Sequence, residues 1–202
     1  MNKQLPLVLL FVAGLVVSGF QPHDGFTWLL EVFPAISGFI LLVLTYPKFR
    51  FTGLTYGLIL VHCYILFIGG HYTYAEVPLF DWIRDTFHQS RNNYDKVGHF
   101  AQGFVPAFIT RELLVRKKVV QPGGWLSFLT VCVCATISVF YEFLEWAVAE
   151  LSGQSAEAFL GTQGYVWDTQ SDMLYATVGA TVMVVFFSRV QDNAIRKLGF
   201  QA

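Results

Sequence analysis

Charged side chains are scarce in this sequence: Asp, Glu, Lys and Arg together make up 13% of its 202 residues, whereas an ordinary soluble protein has about 25%. Apolar residues make up 54%, and the mean hydropathy is positive. A chain with so few polar residues cannot cover a core of this size with a water-facing surface. The composition therefore excludes a soluble globular domain and indicates an integral membrane protein.

The sequence also lacks an excess of charge of either sign, because 13 basic and 14 acidic residues give a net charge of −1. This balance provides no general attraction for nucleic acid, and we expect no nucleic-acid partner. The three cysteines, Cys63, Cys132 and Cys134, fall within apolar stretches. This placement favours small buried side chains over structural disulfides.

Sequence motifs of the common catalytic sites are absent. The chain contains no G-x-S-x-G elbow, no P-loop and no dinucleotide-binding fingerprint, so acyl transfer and nucleotide chemistry have no support. It also contains no H-E-x-x-H or Cys–His pattern that would specify a metal. Motifs alone therefore leave open whether the protein is an enzyme.

Apolar stretches that suit a bilayer, whose hydrocarbon core needs about 20 helical residues, occur six times. They are residues 5–20, 27–46, 53–70, 97–114, 126–149 and 172–188. The sequence therefore predicts an all-α, polytopic membrane helix bundle with about six transmembrane helices in a single domain, 1–202. The first stretch could be a signal peptide, but no A-x-A-like cleavage site follows it, so we predict that it is retained.

The distribution of basic residues predicts the orientation of the bundle, because Lys and Arg stay on the cytoplasmic side in short loops. With the amino terminus inside, ten of them lie on the inner face, and only Arg84, Arg91 and Lys96 lie on the outer face. Both termini are then cytoplasmic. The sequence leaves the oligomeric state open.

The longest outer loop contains the segment LFDWIRDTFHQ at 79–89. Leu79, Ile83 and Phe87 share one face of a helix in this segment, whereas Asp81 and Arg84 point away from that face. The pattern predicts a short interfacial helix whose aromatic face anchors in the headgroup layer. A lid over a site is the alternative interpretation.

Ionisable side chains inside the predicted spans need an explanation, because each costs roughly 2.5–3.5 kcal/mol on insertion scales. The second span carries Glu31 near its start, but most such residues lie in the second half of the chain. They form pairs three or four residues apart, a spacing that places two side chains on one helix face. The pairs are Asp95 with His99, Glu142 with Glu145, and Asp168 with Asp172.

The positions of these pairs within the spans bring them to one side of the membrane. Glu142 lies 17 residues beyond Trp125 at the inner boundary, about 25 Å along a helix. His99 and Asp172 lie just inside spans that enter from the outer face, and His71 leaves the third span on that side. We therefore predict a shared polar site in the outer third of the bilayer.

The residue types in this predicted site suggest roles for its members. The candidate catalytic acid–base groups are Glu142, Glu145, His99 and Asp95, and the candidate ligand-binding groups are His71, Gln102, Asp168 and Asp172. Oxygen ligands with one imidazole suit a divalent metal, for which the candidates are Asp95, His99, Glu142 and Asp172. In the alternative interpretation, Asp95 and Asp168 are helix N-caps and His71 is an interfacial hydrogen-bonding residue.

Four segments of the chain carry a resemblance to a known family. They are GHYTYAEVP at 70–78, YDKVGHFAQGF at 94–104, YEFLEW at 141–146 and WDTQSDM at 167–173. Over essentially its full length the chain resembles the YjdF-like family of multi-pass bacterial inner-membrane proteins, which has no assigned function. The resemblance implies a location in the bacterial inner membrane but no particular activity.

A more distant resemblance covers about residues 94–183. VanZ-like membrane proteins, which are linked to glycopeptide-antibiotic tolerance, show Asp-Lys-x-x-His at the start of one helix, Glu in the next, and Asp before a helix with small residues. The residues that fit this order are Asp95, Lys96, His99, Glu142, Asp172 and Gly179.

Three functions are compatible with this sequence. The first is a periplasm-facing site that binds or processes a lipid-linked or headgroup-bearing ligand. The second is a small proton-coupled transporter that uses the Glu pair, although carriers usually bind near the midplane. The third is a structural or assembly protein whose polar residues hydrogen-bond helices to one another.

Overall fold

The computed structural model describes residues 4–152 and 163–200, and these two ranges contain helices and no strand. The helices are α1 (Leu5–Ser18), α2 (Gly25–Thr45), α3 (Gly53–His71), α4 (Pro78–Thr86), α5 (Tyr94–Arg116), α6 (Gly124–Ser152), α7 (Asp168–Val182) and α8 (Ser188–Arg196). A π-helical segment, Met183–Phe187, joins α7 and α8 into one rod. The predicted all-α helix bundle is confirmed.

Each of the six apolar stretches coincides with a helix, but the helices differ in hydropathy. In the described ranges, α2, α3, α6 and the rod Asp168–Arg196 are long and apolar enough to cross a membrane by length and composition. Helix α1 is apolar but has only 14 residues. Helix α5, with 23 residues, does not belong to the apolar group, because polar and charged residues occupy both of its ends.

Helix α5 is polar because protein surrounds it. It packs against α3, α6 and α7, and it buries Asp95 and His99 near its start and Arg111 and Glu112 near its end. A helix that contacts other helices on most of its faces does not need an apolar surface all round. Helices α1 and α2 pack on α3, so α3 connects the first part of the bundle to α5.

Two glycines allow α5 and α7 to approach closely. A β-carbon on Gly103 would collide with the backbone oxygen of Ala176, and one on Gly179 would collide with the backbone oxygen of Phe100. Small residues at such crossings let two helix backbones come into contact inside a membrane. This contact fixes the position of α7 along α5 and, with it, the side chains at the start of each helix.

The other end of α5 is fixed by a buried polar cluster that the sequence analysis did not identify. Glu112 accepts hydrogen bonds from the Thr52 backbone N–H (2.8 Å) and the Thr55 hydroxyl (2.6 Å) at the start of α3. Arg111 pairs with Asp192 on α8 at 2.6 Å. These contacts connect α3, α5 and α8 at the end remote from Asp95.

The short helix predicted in the longest outer loop is α4. Its Phe80 ring packs edge-on against Tyr94, with ring centroids 5.2 Å apart, whereas the side chains of Leu79 and Trp82 are each 62% exposed. Asp81, which was predicted to point away, accepts a hydrogen bond from Asn92 Nδ2 at 3.0 Å, because the loop before α5 folds back over the helix. The position of α4 at the membrane interface stays a prediction.

Candidate functional site

Three buried side chains from α5 and α7 form the centre of the candidate site. His99 Nε2 lies 3.2 Å from Asp95 Oδ1, one turn earlier on α5, and 3.8 Å from Asp172 Oδ1 on α7. None of these residues is more than 9% exposed. One oxygen or nitrogen atom of each lies within 4.8 Å of the others. We call Asp95, His99 and Asp172 the acid–imidazole triad.

Hydrogen bonding fixes the imidazole of His99. Its Nδ1 lies 3.0 Å from the side-chain oxygen of Gln102, and an amide oxygen can only accept. Nδ1 therefore carries a proton and donates a hydrogen bond to Gln102, so that Nε2 faces the two carboxyl groups. Gln102, predicted to bind a ligand, contacts the triad as an orienting partner of His99.

Arg91, from the loop before α5, lies between the first turns of α5 and α7. It pairs with Asp168, and its Nη2 lies 3.5 Å from Asp95 Oδ2. The N-cap residues are Asn93 for α5 and Trp167 for α7, and neither caps its helix with its side chain. The helix-cap interpretation of Asp95 and Asp168 is therefore wrong, because both carboxylates lie inside the first turn and pair with the buried guanidinium.

The two glutamates of α6 do not share one environment. Glu142 is buried beside α7, where it accepts a hydrogen bond from the Thr169 hydroxyl, and its Oε1 has no hydrogen-bond partner. Glu145 is half-buried and lines a cavity that Glu142 does not line. Both lie within electrostatic range of His99.

His71 contacts a different part of the bundle. Its Nδ1 lies 2.8 Å from the Ser18 carbonyl oxygen, and its ring packs edge-on against Tyr72. These contacts connect the end of α3 to the end of α1. These contacts of His71 fit the alternative interpretation, a hydrogen-bonding residue near a helix end, better than a ligand-binding role with the triad.

Asp95 and His99 of the triad border a cavity of about 850 Å³ that is lined mainly by apolar side chains of α1, α2, α3, α5 and α6. Its polar lining at one end comes from Glu31, Asp95, His99 and Glu145. On α2 the lining extends from Glu31 to Thr45, which is about 21 Å along a helix. Lys48 and Lys117 line the opposite end. The cavity is thus long, mostly apolar and acidic at the end where the triad lies.

Glu31 is the member of this site that the sequence analysis missed. It is 7% exposed, lines the cavity and lies within electrostatic range of Asp95 and His99. The sequence does mark Glu31 as a candidate, because the cost of inserting a carboxyl group into a membrane applies to Glu31 as it does to Glu142. Arg91 was missed as a partner because it was counted only among the outer charges.

Comparison with known proteins gives a family and a relative. The chain matches a family described as "Predicted membrane protein (DUF2238)" over residues 4–193. It is 46% identical over 185 residues to "Inner membrane protein YjdF" of Escherichia coli (strain K12), which covers 92% of this chain and 88% of that protein. No solved structure matches the chain significantly. The likeness to VanZ-like proteins stays a prediction.

Proposed function

We propose that this chain, which belongs to the predicted membrane protein family DUF2238, binds a lipid-like amphiphile in the cavity between its helices. The observation that carries the proposal is the uneven lining of the cavity, which is apolar along most of its length and acidic at one end. An amphiphile has the same division, because its tail is apolar and its head is polar. A ligand for such a cavity can enter from the surrounding bilayer.

The size of the cavity supports a ligand with a hydrocarbon tail. Its volume of about 850 Å³ lies in the range of small-molecule sites, about 300–1,000 Å³. Its extent along α2, about 21 Å, is two thirds of the roughly 30 Å hydrocarbon core of a bilayer. A tail can therefore lie along the cavity roughly parallel to α2, with Pro34, Gly38 and Phe39 beside it.

The polar end determines the chemistry of the head. Three carboxyl groups, those of Glu31, Asp95 and Glu145, and the imidazole of His99 line it. Carboxyl and imidazole groups accept hydrogen bonds and attract positive charge, so they favour a head that donates hydrogen bonds or is positively charged. We propose that these residues hold an ammonium-type head. The head-binding side chains would be held in position by Arg91, Asp168 and Glu142, which do not line the cavity.

The same groups are the candidates for a chemical step on the head. Asp95 and His99 lie 3.2 Å apart, a distance at which an acid and an imidazole exchange a proton. We keep them, with Glu142 and Glu145, as the proposed acid–base groups. Binding of the amphiphile is the primary proposal, and its test does not require catalysis.

The test introduces a large side chain into the cavity at a lining residue where a new β-carbon would contact no other atom. Gly38 lines the cavity, and a β-carbon there has nothing within 4 Å. We expect Gly38→Trp to weaken binding of added phosphatidylethanolamine at least tenfold, as measured by native mass spectrometry of the detergent-purified protein. Phosphatidylglycerol, whose head is anionic, should bind the wild-type chain more weakly than phosphatidylethanolamine.

Gly57→Trp is the matched control. A β-carbon on Gly57 of α3 also has nothing within 4 Å, but Gly57 does not line the cavity. The control should bind phosphatidylethanolamine as the wild-type chain does. Equal binding by wild type and both variants would show that the lipid does not occupy the cavity and would overturn the proposal.

A further inference from the structure

We infer that Asp95, His99 and Asp172 form a binding site for a divalent transition-metal ion. In a zinc-type site the bonds to nitrogen and oxygen are about 2.0–2.2 Å long, so neighbouring ligand atoms lie about 2.8–3.6 Å apart. His99 Nε2 lies 3.2 Å from Asp95 Oδ1 and 3.8 Å from Asp172 Oδ1. These two separations approach those of ligand atoms around one ion, and the three candidate ligand atoms all lie within 4.8 Å of one another.

An unpartnered carboxylate oxygen is the second observation that indicates a ligand. Asp172 is 3% exposed, and its Oδ1 is buried without a hydrogen-bond donor. This is the oxygen that faces His99 Nε2. A buried carboxylate oxygen without a donor carries a desolvation cost of a few kcal/mol, which a bound cation removes.

The surroundings of the triad orient its atoms as a metal site requires. The Nδ1–H group of His99 donates to Gln102 Oε1 at 3.0 Å, which leaves Nε2 as the ring nitrogen that faces the carboxyl groups. Arg91 Nη2 lies 3.5 Å from the second oxygen of Asp95, Oδ2, which leaves Oδ1 for the ion. Outer partners of this kind fix the direction of metal ligands in known sites.

The ligand set indicates the class of ion. One imidazole with two carboxylates suits Zn²⁺ or Mn²⁺ better than Mg²⁺, which prefers oxygen ligands and retains water. Asp95 and His99 also line the cavity, so an ion held by three protein atoms would keep a coordination position open to it. Metal sites with three protein ligands and an open position bind substrate or water there.

The ion and the proposed ammonium head would compete for Asp95 and His99, so the metal site is tested without added lipid. The ion would bind to side chains of α5 and α7, and these helices contact each other through Gly103 and Gly179 whether or not the cavity is filled. Gly38→Trp should therefore weaken lipid binding at least tenfold and leave metal binding unchanged. This variant separates failure of the proposed function from failure of the metal site.

The test uses the full chain, purified in detergent, stripped with a chelator and titrated with ZnCl2 or MnCl2 alone in a calorimeter. We expect one ion per chain for at least one of the two metals, and binding at least 100-fold weaker in Asp172→Asn and in His99→Gln. His71→Gln is the matched control, because its imidazole bonds to Ser18 outside the triad, and it should bind the metal as the wild type does.

Spectroscopy keeps the inference testable if a triad variant fails to fold. Co²⁺ added to the stripped wild-type chain should give visible absorption bands of a site with nitrogen and oxygen ligands, and Zn²⁺ should displace them. The inference is overturned if the wild-type chain binds neither Zn²⁺ nor Mn²⁺ above a detergent blank. It is equally overturned if folded Asp172→Asn binds as tightly as wild type, which would leave a protonated His99 between two acids as the explanation of the triad.

Discussion

Two buried carboxyl groups of α5 and α7 show opposite degrees of hydrogen bonding. Glu112 has no exposed surface, and its two oxygens accept from the Thr52 N–H, the Thr52 and Thr55 hydroxyls and Arg116. Removing one partner of such a buried charge typically costs about 3–5 kcal/mol. Asp172 Oδ1, at the other end of the bundle, has no donor. Glu112 thus has a donor for each of its two oxygens, whereas Asp172 has one oxygen that no donor reaches.

Asp24 is a residue whose contribution to stability can be measured separately. Its side chain caps α2 by accepting a hydrogen bond from the Thr27 N–H at 2.7 Å. We expect Asp24→Ala to lower the free energy of unfolding by about 1 kcal/mol, which is typical of a lost N-cap. The measurement is thermal unfolding of the purified chain in detergent at pH 7.

The same residue predicts a pH dependence. The hydrogen bond from the Thr27 backbone N–H lowers the pKa of Asp24 below its ordinary value. The stabilisation is therefore present above the unfolded pKa, about 3.9, and is lost as the pH falls through the lower folded pKa. Asp24→Asn keeps a capping oxygen that does not titrate. A wild-type chain that loses no stability relative to Asp24→Asn as the pH falls below 4 would contradict the assignment.

At the scale of elements, α5 is the helix that organises the bundle and the site. It packs against α3, α6 and α7, and its first three turns carry Asp95, His99 and Gln102. Because α7 touches α5 through backbone atoms at Gly103 and Gly179, the distance between His99 and Asp172 depends on that crossing. A change at the crossing should therefore affect the site about one helical turn away.

Gly103→Ala tests this dependence. The new β-carbon would meet the Ala176 backbone, which cannot move as a flexible side chain can, and overpacking of this kind typically costs about 1–3 kcal/mol. We expect a lower melting temperature in detergent and weaker binding of Zn²⁺ or Mn²⁺. Gly57→Ala, where a β-carbon meets nothing within 4 Å, is the control. A Gly103→Ala chain as stable as this control would contradict the close approach of the backbones.

The sequence predicted features that depend on nearby residues better than features that depend on contacts between distant segments. Helix periodicity is local, so it placed the helices and put Asp95 and His99 on one face, where they lie 3.2 Å apart. Contacts between distant segments are not local. The pairing of Arg91 with Asp168 and the bonding of His71 to Ser18 depend on how α1, α3, α5 and α7 pack, and no spacing along the chain specifies that packing.

At the scale of the whole molecule, the orientation in the membrane stays a prediction that labelling can test. Basic residues predict that His88, after α4, lies outside and that Lys118, after α5, lies inside; both are exposed. In a chain whose three free cysteines are replaced by serine, we expect a membrane-impermeant maleimide to label His88→Cys in intact bacterial cells. Lys118→Cys should react only after the membrane is opened. The reverse pattern would contradict cytoplasmic termini.

The polarity of α5 also has a consequence for how the chain is made. Asp, Lys and Arg each disfavour release of a nascent helix from the translocon into lipid, by roughly 2.5–3.5 kcal/mol at the helix centre. Helix α3 is synthesised before α5 and provides one of its packing faces, whereas α6 and α7, which cover the others, emerge from the ribosome later. We therefore expect α5 to leave the insertion machinery together with these later neighbours, so that the second half of the bundle enters the membrane as a unit.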